Sequence, residues 1–129
     1  MPRDPHEHAG EQYCYLTTIG RVSGRSHEIE TWFAYPPDPG RTLYMMAGGR
    51  DHADWVKNLR RDPAVTIRIG DDTYRARARV VEPGSPEDMV ARRALCGKYQ
   101  GWREGQPLSE WGRTALPVAF DLEVTSDER

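Results

Sequence analysis

Two short stretches of this 129-residue chain carry residue types that bind phosphate. The first, GRVSGR, spans residues 20–25 and offers two glycines, a serine hydroxyl and two guanidinium groups. Successive backbone N–H groups in such a turn form a concave anion site, and arginine adds paired hydrogen bonds to phosphate oxygens. The residues that would do this are Gly20, Arg21, Ser23, Gly24 and Arg25. An ordinary hairpin turn with solvated arginines is the alternative that this motif alone leaves open.

The second stretch, AGGRDHADW, spans residues 47–55. Gly48 and Gly49 would let a ligand approach the backbone closely, and Asp54 is predicted to cap a helix whose N-terminus favours anions. Trp55 offers a planar face, although core packing is the alternative for this residue. Asn58 offers an amide one turn later, and asparagine is a poor helix former unless its side chain has a partner. We therefore expect a ligand between these two stretches.

The remaining polar residues do not form a catalytic motif. His27 and His52 follow the two turns and could contact phosphate or titrate near neutral pH. His6 and His8 form an HxH pair, but metal binding would need more ligands, so no metal site is predicted. The chain lacks the patterns of nucleophilic serine enzymes, zinc proteases and nucleotide-binding loops. A bound cofactor would therefore have to supply any difficult chemistry.

Composition narrows the class of partner. Residues 21–80 hold eleven Arg or Lys against eight Asp or Glu, in a chain of net charge −2. This surplus is too small for nucleic-acid binding but suits one anionic small molecule. No apolar run approaches the ~20 residues of a membrane span and the start has no apolar signal segment, so we expect no transmembrane segment and a cytoplasmic location. Cys14 and Cys96 are predicted to be buried free thiols.

The elements that must position these residues are mostly strands. Apolar alternation and turn residues predict strands at 13–19, 27–35, 42–47, 64–69, 73–81 and 116–124, and helices at 55–61 and 86–99. Residues 101–112 are predicted to form a loop, and residues 1–12 a disordered tail. Short connections exclude a parallel sheet and favour a mainly β, α+β fold, an antiparallel barrel or sandwich with helical plugs, as one domain over 13–125.

Four segments together resemble a known family. In chain order they are LTTIGRVSGR, IETWF, AGGRDHADWVKNLRRDPAVTIRIG and RTALPVAFDLEV, and the resemblance extends over about residues 13–124. This combination is similar to the deazaflavin-dependent nitroreductases of actinobacteria. The resemblance implies a six-stranded antiparallel split β-barrel with two or three helices, like the FMN-binding oxidases. It also implies coenzyme F-420 as cofactor and reduction of a small hydrophobic acceptor, namely a quinone, nitro compound or activated alkene.

The same resemblance implies roles for individual residues. The phosphate-binding turn would comprise Arg21, Val22, Ser23, Gly24, Arg25 and His27, the backbone beside the deazaflavin ring Met46, Ala47, Gly48 and Gly49, and the helix closing the cleft Trp55 and Asn58. The acceptor would contact Trp32, Met46, Tyr99 and Trp102, with Trp111 as a further aromatic candidate. Tyr99 would be able to donate a proton, and core packing is the alternative for each of these aromatic residues.

The sequence departs from the family pattern at four positions. Val22 stands where lysine is usual, His27 where arginine is common, Glu30 where proline is frequent, and Met46 where some members have serine. Two alternatives therefore stay open: an FMN-dependent oxidoreductase of the same fold, and a non-catalytic protein that binds a flavin or deazaflavin. A homodimer is expected by analogy with other split barrels alone.

Overall fold

An antiparallel sheet forms most of the part of the chain that the computed structural model describes, residues 3–38 and 40–123. Its six strands are β1 (Cys14–Ile19), β2 (Ser26–Thr31), β3 (Thr42–Ala47), β4 (Ala64–Ile69), β5 (Asp72–Val80) and β6 (Leu116–Leu122). They lie in the order β2-β1-β4-β5-β6-β3 and curl into a half-barrel. The predicted antiparallel split barrel is confirmed.

The β4–β5 hairpin shows how local sequence sets the two faces of the sheet. Tyr74, Ala76 and Ala78 are buried, while the arginines that alternate with them are exposed. Alternation of this kind turns every second side chain towards the core. Gly70 makes the turn at φ +60°, a conformation that glycine adopts without strain. Both strands agree with their predicted bounds to within one residue.

Beyond β2 the chain crosses to the other edge of the sheet. The backbone N–H of Ala34 donates to the carbonyl of Tyr44 at 3.0 Å, and the N–H of Tyr44 donates back at 2.9 Å. The prediction of one strand over 27–35 is therefore wrong beyond Thr31, where β2 ends. Phe33 is fully buried in the barrel core, so the chain leaves β1 and pairs with β3 instead.

Three helices pack on the sheet: α1 (Asp54–Arg61), α2 (Pro86–Gln100) and α3 (Glu110–Thr114). The predicted start of α2 is confirmed, because Ser85 Oγ accepts the backbone N–H of Asp88 at 3.2 Å. The predicted cap of α1 is wrong by one residue. Ala53 holds the cap position, and Asp54 is already helical.

The short helix α3 lies where a loop was predicted. Ser109 Oγ accepts the N–H of Gly112 at 3.0 Å and caps five residues that have no apolar periodicity. A Cβ at Gly112 would lie 2.5 Å from Cys96 Sγ, so this close packing of α3 on α2 requires glycine. Cys96 and Cys14 are buried free thiols, as predicted. Among the described residues no helix is long and apolar enough to cross a membrane, and no His, Cys, Asp and Glu group could hold a metal.

The N-terminal segment differs from the predicted disordered tail. Within the described residues, 5–8 form a 3₁₀ helix, and its His8 is 1 % exposed. His8 Nε2 lies 2.7 Å from Asp72 Oδ2 in the β4–β5 hairpin. The hydroxyls of Tyr35 and Tyr74 donate to the carbonyls of Pro5 and Arg3 at 3.0 and 2.6 Å. These contacts join the segment to residues far away in the sequence and hold it in place. The polar composition of the segment did not predict such contacts.

We expect His8→Ala to lower the free energy of unfolding by about 1–3 kcal/mol, because it empties a buried site and leaves Asp72 without this partner. The matched control is His6→Ala, whose side chain is 39 % exposed and should change stability by less than ~0.5 kcal/mol. Urea unfolding followed by circular dichroism measures both. Equal stability of the two variants would contradict a structural role for this segment.

Candidate functional site

The turn at 20–25 and helix α1 enclose a cleft of about 470 Å³, which we name the turn cleft. It brings together residues from β1, the turn, β2 and α1. They are Thr18, Gly20, Arg21, Val22, Ser23, His27, Glu28, Ile29, Asp54, Trp55 and Asn58. The first motif and the end of the second, from Asp54 onward, therefore meet in this cleft.

The conformation of the turn depends on its two glycines. The N–H of Gly20 donates to the carbonyl of Arg25 at 2.7 Å, and the N–H of Gly24 donates to the carbonyl of Gly20 at 2.9 Å. Gly24 has φ +73°. A Cβ at Gly20 would lie 2.7 Å from His27 Nε2 and 2.9 Å from Ser23 Oγ. The glycines thus permit a tight turn that places these two side chains beside the cleft.

Asn58 fastens the turn to α1. Its Oδ1 accepts hydrogen bonds from the backbone N–H and the Nη1 of Arg21, at 3.1 and 2.8 Å. Its Nδ2 donates to Thr18 Oγ1 at 3.3 Å. Asn58 is 4 % exposed, and both ends of its amide are used within the protein. These bonds explain why an asparagine occurs in this helix, and through them Asn58 positions the turn beside the cleft.

The two arginines of the motif have different surroundings. The Arg21 guanidinium also contacts Asp54 Oδ1 at 3.1 Å, so it is held against α1. The Arg25 side chain has no hydrogen bond or ion pair with any residue in the described ranges. Val22 is 92 % exposed and lines the turn cleft. Within the described ranges Arg25 is therefore the unpaired cation of this turn, although it is not among the residues that line the turn cleft.

Both carboxylates that line the turn cleft lie near an arginine. Asp54 is paired with Arg21, and Glu28 lies 3.8 Å from Arg68 Nη2. His27 and the Ser23 hydroxyl remain on the same rim, and the N-terminus of α1 lies beside it. A hydroxyl, an imidazole and a helix N-terminus at the cleft, with the Arg25 guanidinium on the same turn, form a donor set that suits a phosphate.

A second cavity of about 360 Å³, the aromatic pocket, is lined by Tyr13, Glu30, Thr31, Trp32, Met46, Gln100 and Trp111. The Trp32 ring stacks on Tyr99 with centroids 4.3 Å apart and an interplanar angle of 3°. Trp111 meets Trp32 edge to face at 5.4 Å and 83°. Two indoles and a thioether make flat, polarisable walls, which suit a planar apolar molecule.

The two cavities follow one another along β2. His27, Glu28 and Ile29 line the turn cleft, and the next two residues, Glu30 and Thr31, line the aromatic pocket. Trp32 continues the pocket directly after the strand ends. The two cavities are therefore neighbours along this strand.

The Tyr99 side chain stacks on Trp32 from outside the set of residues lining the aromatic pocket, and its hydroxyl is bonded to backbone groups. Its hydroxyl accepts the N–H of Phe33 at 3.1 Å and lies 2.9 Å from the carbonyls of both Gln12 and Phe33. Burial raises the pKa of Tyr99 to about 12. Because this hydroxyl is bonded to backbone groups, the arrangement argues against Tyr99 as a proton donor and gives it the task of supporting Trp32.

Six further residues that were predicted to contact cofactor or acceptor lie outside both sets of lining residues: Gly24, Arg25, Ala47, Gly48, Gly49 and Trp102. Trp102 lines a different groove, with residues of α2, and so does not join Trp32 and Met46. Gly48 and Gly49 are exposed beyond the end of β3. A Cβ at Gly48 would lie 3.6 Å from Trp111 Nε1, so Gly48 borders the aromatic pocket from behind that ring. Ala47 is buried in the barrel core.

Several lining residues were not predicted. Thr18, Glu28 and Ile29 flank the turn on its two strands, and Tyr13 and Gln100 reach the aromatic pocket from distant elements. Thr18 and Ile29 could have been found, because the strand positions next to a binding turn face the same cleft. No sequence signal identifies Tyr13 or Gln100, since their positions depend on how the N-terminal segment and α2 pack.

Comparisons with known proteins agree on the fold. No curated protein sequence matches the chain. Among solved structures, a candidate 5-nitroimidazole antibiotic resistance protein of Bacteroides thetaiotaomicron has TM-score 0.69 at 13% identity, covering 95% of this chain and 81% of that one. The heme storage protein HutZ of Vibrio cholerae has TM-score 0.66 at 18% identity, covering 97% and 93%. An F-420-H2 dependent reductase, FDR-A, has TM-score 0.61 at 22% identity, covering 87% and 94%.

These identities are too low to carry a function, and a heme storage protein among the neighbours illustrates the point. The family comparison is more specific. Residues 5–119 match the model of the family described as F-420H(2)-dependent quinone reductase. That range includes the turn, β2, α1, α2 and every residue lining the two cavities. The chain belongs to the F-420H(2)-dependent quinone reductase family.

Proposed function

We propose that this protein reduces small, planar, hydrophobic acceptors, namely quinones, nitro compounds or activated alkenes, which bind in the aromatic pocket. Membership of the family makes it an F-420H2-dependent oxidoreductase with coenzyme F-420 as cofactor, and not an FMN enzyme or a storage protein. When bound, the reduced coenzyme supplies the hydride that the acceptor takes up. The residues of this chain then have to bind the coenzyme and the acceptor, orient them towards each other and exclude water.

The succession of the two cavities along β2 is the observation that carries this proposal. Hydride transfer needs closeness and orientation more than a protein acid or base. The phosphate-binding donors lie at one end of β2, and the stacked aromatic walls lie at the other. We assign the turn cleft to the phosphate of the coenzyme and the aromatic pocket to the acceptor.

The reaction itself gives the direct test. Purified protein with reduced F-420 should oxidise it in the presence of menadione, a nitroaromatic compound or cyclohexenone, followed by the absorbance of the oxidised coenzyme. FMN should not replace F-420 in a binding titration. Tight F-420 binding without oxidation by any of the three acceptors would overturn the assignment of the acceptor class.

We expect Arg25→Ala to weaken F-420 binding about tenfold or more while leaving stability unchanged, because this guanidinium has no partner in the described ranges. Arg21→Ala is the matched comparison. It should lower stability as well as affinity, since Arg21 is bonded to Asn58 and Asp54. Fluorescence polarisation and thermal unfolding measure the two effects. Unchanged affinity of Arg25→Ala would remove Arg25 from the phosphate site.

We also propose that two copies of the chain pair through β2. Within the described residues this strand hydrogen-bonds to β1 alone, and most of its side chains are exposed. Exposed strand edges tend to pair with another chain. A structural neighbour with TM-score 0.61 is described as a domain-swapped dimer. Light scattering should give twice the mass of one chain, and a monomer at micromolar concentration would contradict this. The cytoplasmic location stays a prediction.

A further inference from the structure

A third cavity lies apart from the turn cleft and the aromatic pocket, and we propose that it is a separate binding site for a small aromatic anion. This cavity of about 490 Å³, the α2 groove, is lined by Pro37, Val90, Arg93, Ala94, Gly97, Trp102, Arg103 and Glu104. None of these residues lines either of the other two cavities. Its volume falls within the range of small-molecule sites.

One helical face and one loop build the groove. Val90, Arg93, Ala94 and Gly97 follow the spacing that puts side chains on one side of α2. The loop after α2 then returns over this face. The N–H of Trp102 donates to the carbonyl of Cys96 at 3.2 Å, and its indole Nε1 donates to the carbonyl of Gln106 at 2.8 Å. The indole is thereby fixed as a flat wall of the groove.

Gly97 keeps the groove open at a cost to the helix. Glycine inside a helix is less stable than alanine. At Gly97 no close contact requires it, because the nearest atom to an added Cβ would be the carbonyl oxygen of Trp102 at 3.7 Å. This differs from Gly112, where the same addition would clash with Cys96. Close packing therefore does not require glycine at this position, which lines the groove.

The charge of the groove selects an anion. The Arg93 guanidinium lies 5.5 Å from the centroid of the Trp102 ring, and within the described ranges neither Arg93 nor Arg103 has an ion-pair partner. Arg92, by contrast, is fully engaged with Asp88 and the carbonyl of Gly112. Glu104 is the single acid among the lining residues, so two cations face one carboxylate.

These features together specify the class of ligand. An aromatic ring would lie against Trp102 and the apolar floor of Val90 and Ala94. A carboxylate or sulfonate on that ring would meet the two arginines, whose planar forks bind such groups with paired hydrogen bonds. The site goes beyond the reductase activity, because it shares no residue with the cavities assigned to that activity.

A pair of fluorescent probes tests the proposal. Anilinonaphthalenesulfonate is an aromatic anion, and phenylnaphthylamine has the same rings without the sulfonate. We expect the sulfonate to bind the wild-type protein at least tenfold more tightly than the neutral probe. The Gly97→Leu variant, which fills the groove, should lose this binding and keep wild-type affinity for F-420. The combined variant Arg93→Gln, Arg103→Gln should weaken binding of the sulfonate at least tenfold and binding of the neutral probe less than twofold.

Arg61→Gln is the matched control, because it removes an exposed arginine from α1 and not from the groove. It should leave both affinities within twofold of wild type. Equal affinity for the two probes, or a sulfonate affinity that neither groove variant changes, would overturn the proposal. If Gly97→Leu does not fold, the arginine variant, which changes surface residues only, still decides the question.

Discussion

Asn58→Leu is expected to weaken F-420 binding by more than tenfold and to lower the free energy of unfolding by about 1–3 kcal/mol. The replaced amide accepts two hydrogen bonds from Arg21 and donates one to Thr18. Leucine has a similar shape but leaves the Arg21 backbone N–H without its partner. The turn would then lose its attachment to α1, and the two sides of the turn cleft would no longer be held together.

Asn58→Asp distinguishes the structural part of this effect from its electrostatic part. Aspartate keeps the oxygen that Arg21 needs and can accept a hydrogen bond from Thr18, so stability should stay close to wild type. The added negative charge faces the turn cleft, so F-420 should still bind more weakly. Polarisation titrations well below the melting temperature of each variant measure the affinities of Asn58→Leu and Asn58→Asp for F-420. Wild-type affinity of Asn58→Leu would show that the turn does not hold the coenzyme.

Local patterns were sufficient to predict the turn and the bounds of most strands. The alternating residues of β5 and the serine cap of α2 each depend on neighbours in sequence, and the structure confirms them. The position of Phe33 could not be read in this way. Continued alternation predicted that it stays in β2, but burial in the barrel core and pairing of Ala34 with Tyr44 decide its place.

The sequence could not show that Arg21 and Arg25 have different surroundings, because both are arginines in the same glycine-rich turn. The difference between them comes from Asp54 and Asn58, more than thirty residues away, which engage Arg21 alone. The N-terminal segment gives the same lesson. His8 is buried by a contact with Asp72, 64 residues later, so no local property of the segment predicts its order.

The acceptor site shows where a resemblance stops being informative about single residues. Four candidates were transferred together, but the path of α2 and the following loop separates them. Trp32 and Met46 line the aromatic pocket, Tyr99 supports Trp32 from behind, and Trp102 lies in the α2 groove. Trp111, named as a further aromatic, completes the pocket. We therefore expect these residues to differ in their effect on the reaction with the acceptor, and enzyme kinetics can measure that difference.

Trp32→Ala is expected to lower kcat/KM for menadione about ten- to a hundredfold, whereas Trp102→Ala should change it less than twofold. Removing the Trp32 indole takes away the wall that stacks on Tyr99 and meets Trp111, so the acceptor loses its closest flat contact and water enters the pocket. A hundredfold loss corresponds to about 2.7 kcal/mol of binding in the transition state.

Steady-state kinetics with saturating reduced F-420 separates the two tryptophans, and the dissociation constant of the coenzyme serves as the internal control. It should remain within twofold of wild type in both variants, because neither side chain lines the turn cleft. A rise in KM with kcat retained would mean that Trp32 mainly binds the acceptor. A fall in kcat would mean that it orients the acceptor for hydride transfer. Equal losses of kcat/KM in Trp32→Ala and Trp102→Ala would contradict the assignment of the aromatic pocket, since Trp32 lines that pocket and Trp102 does not.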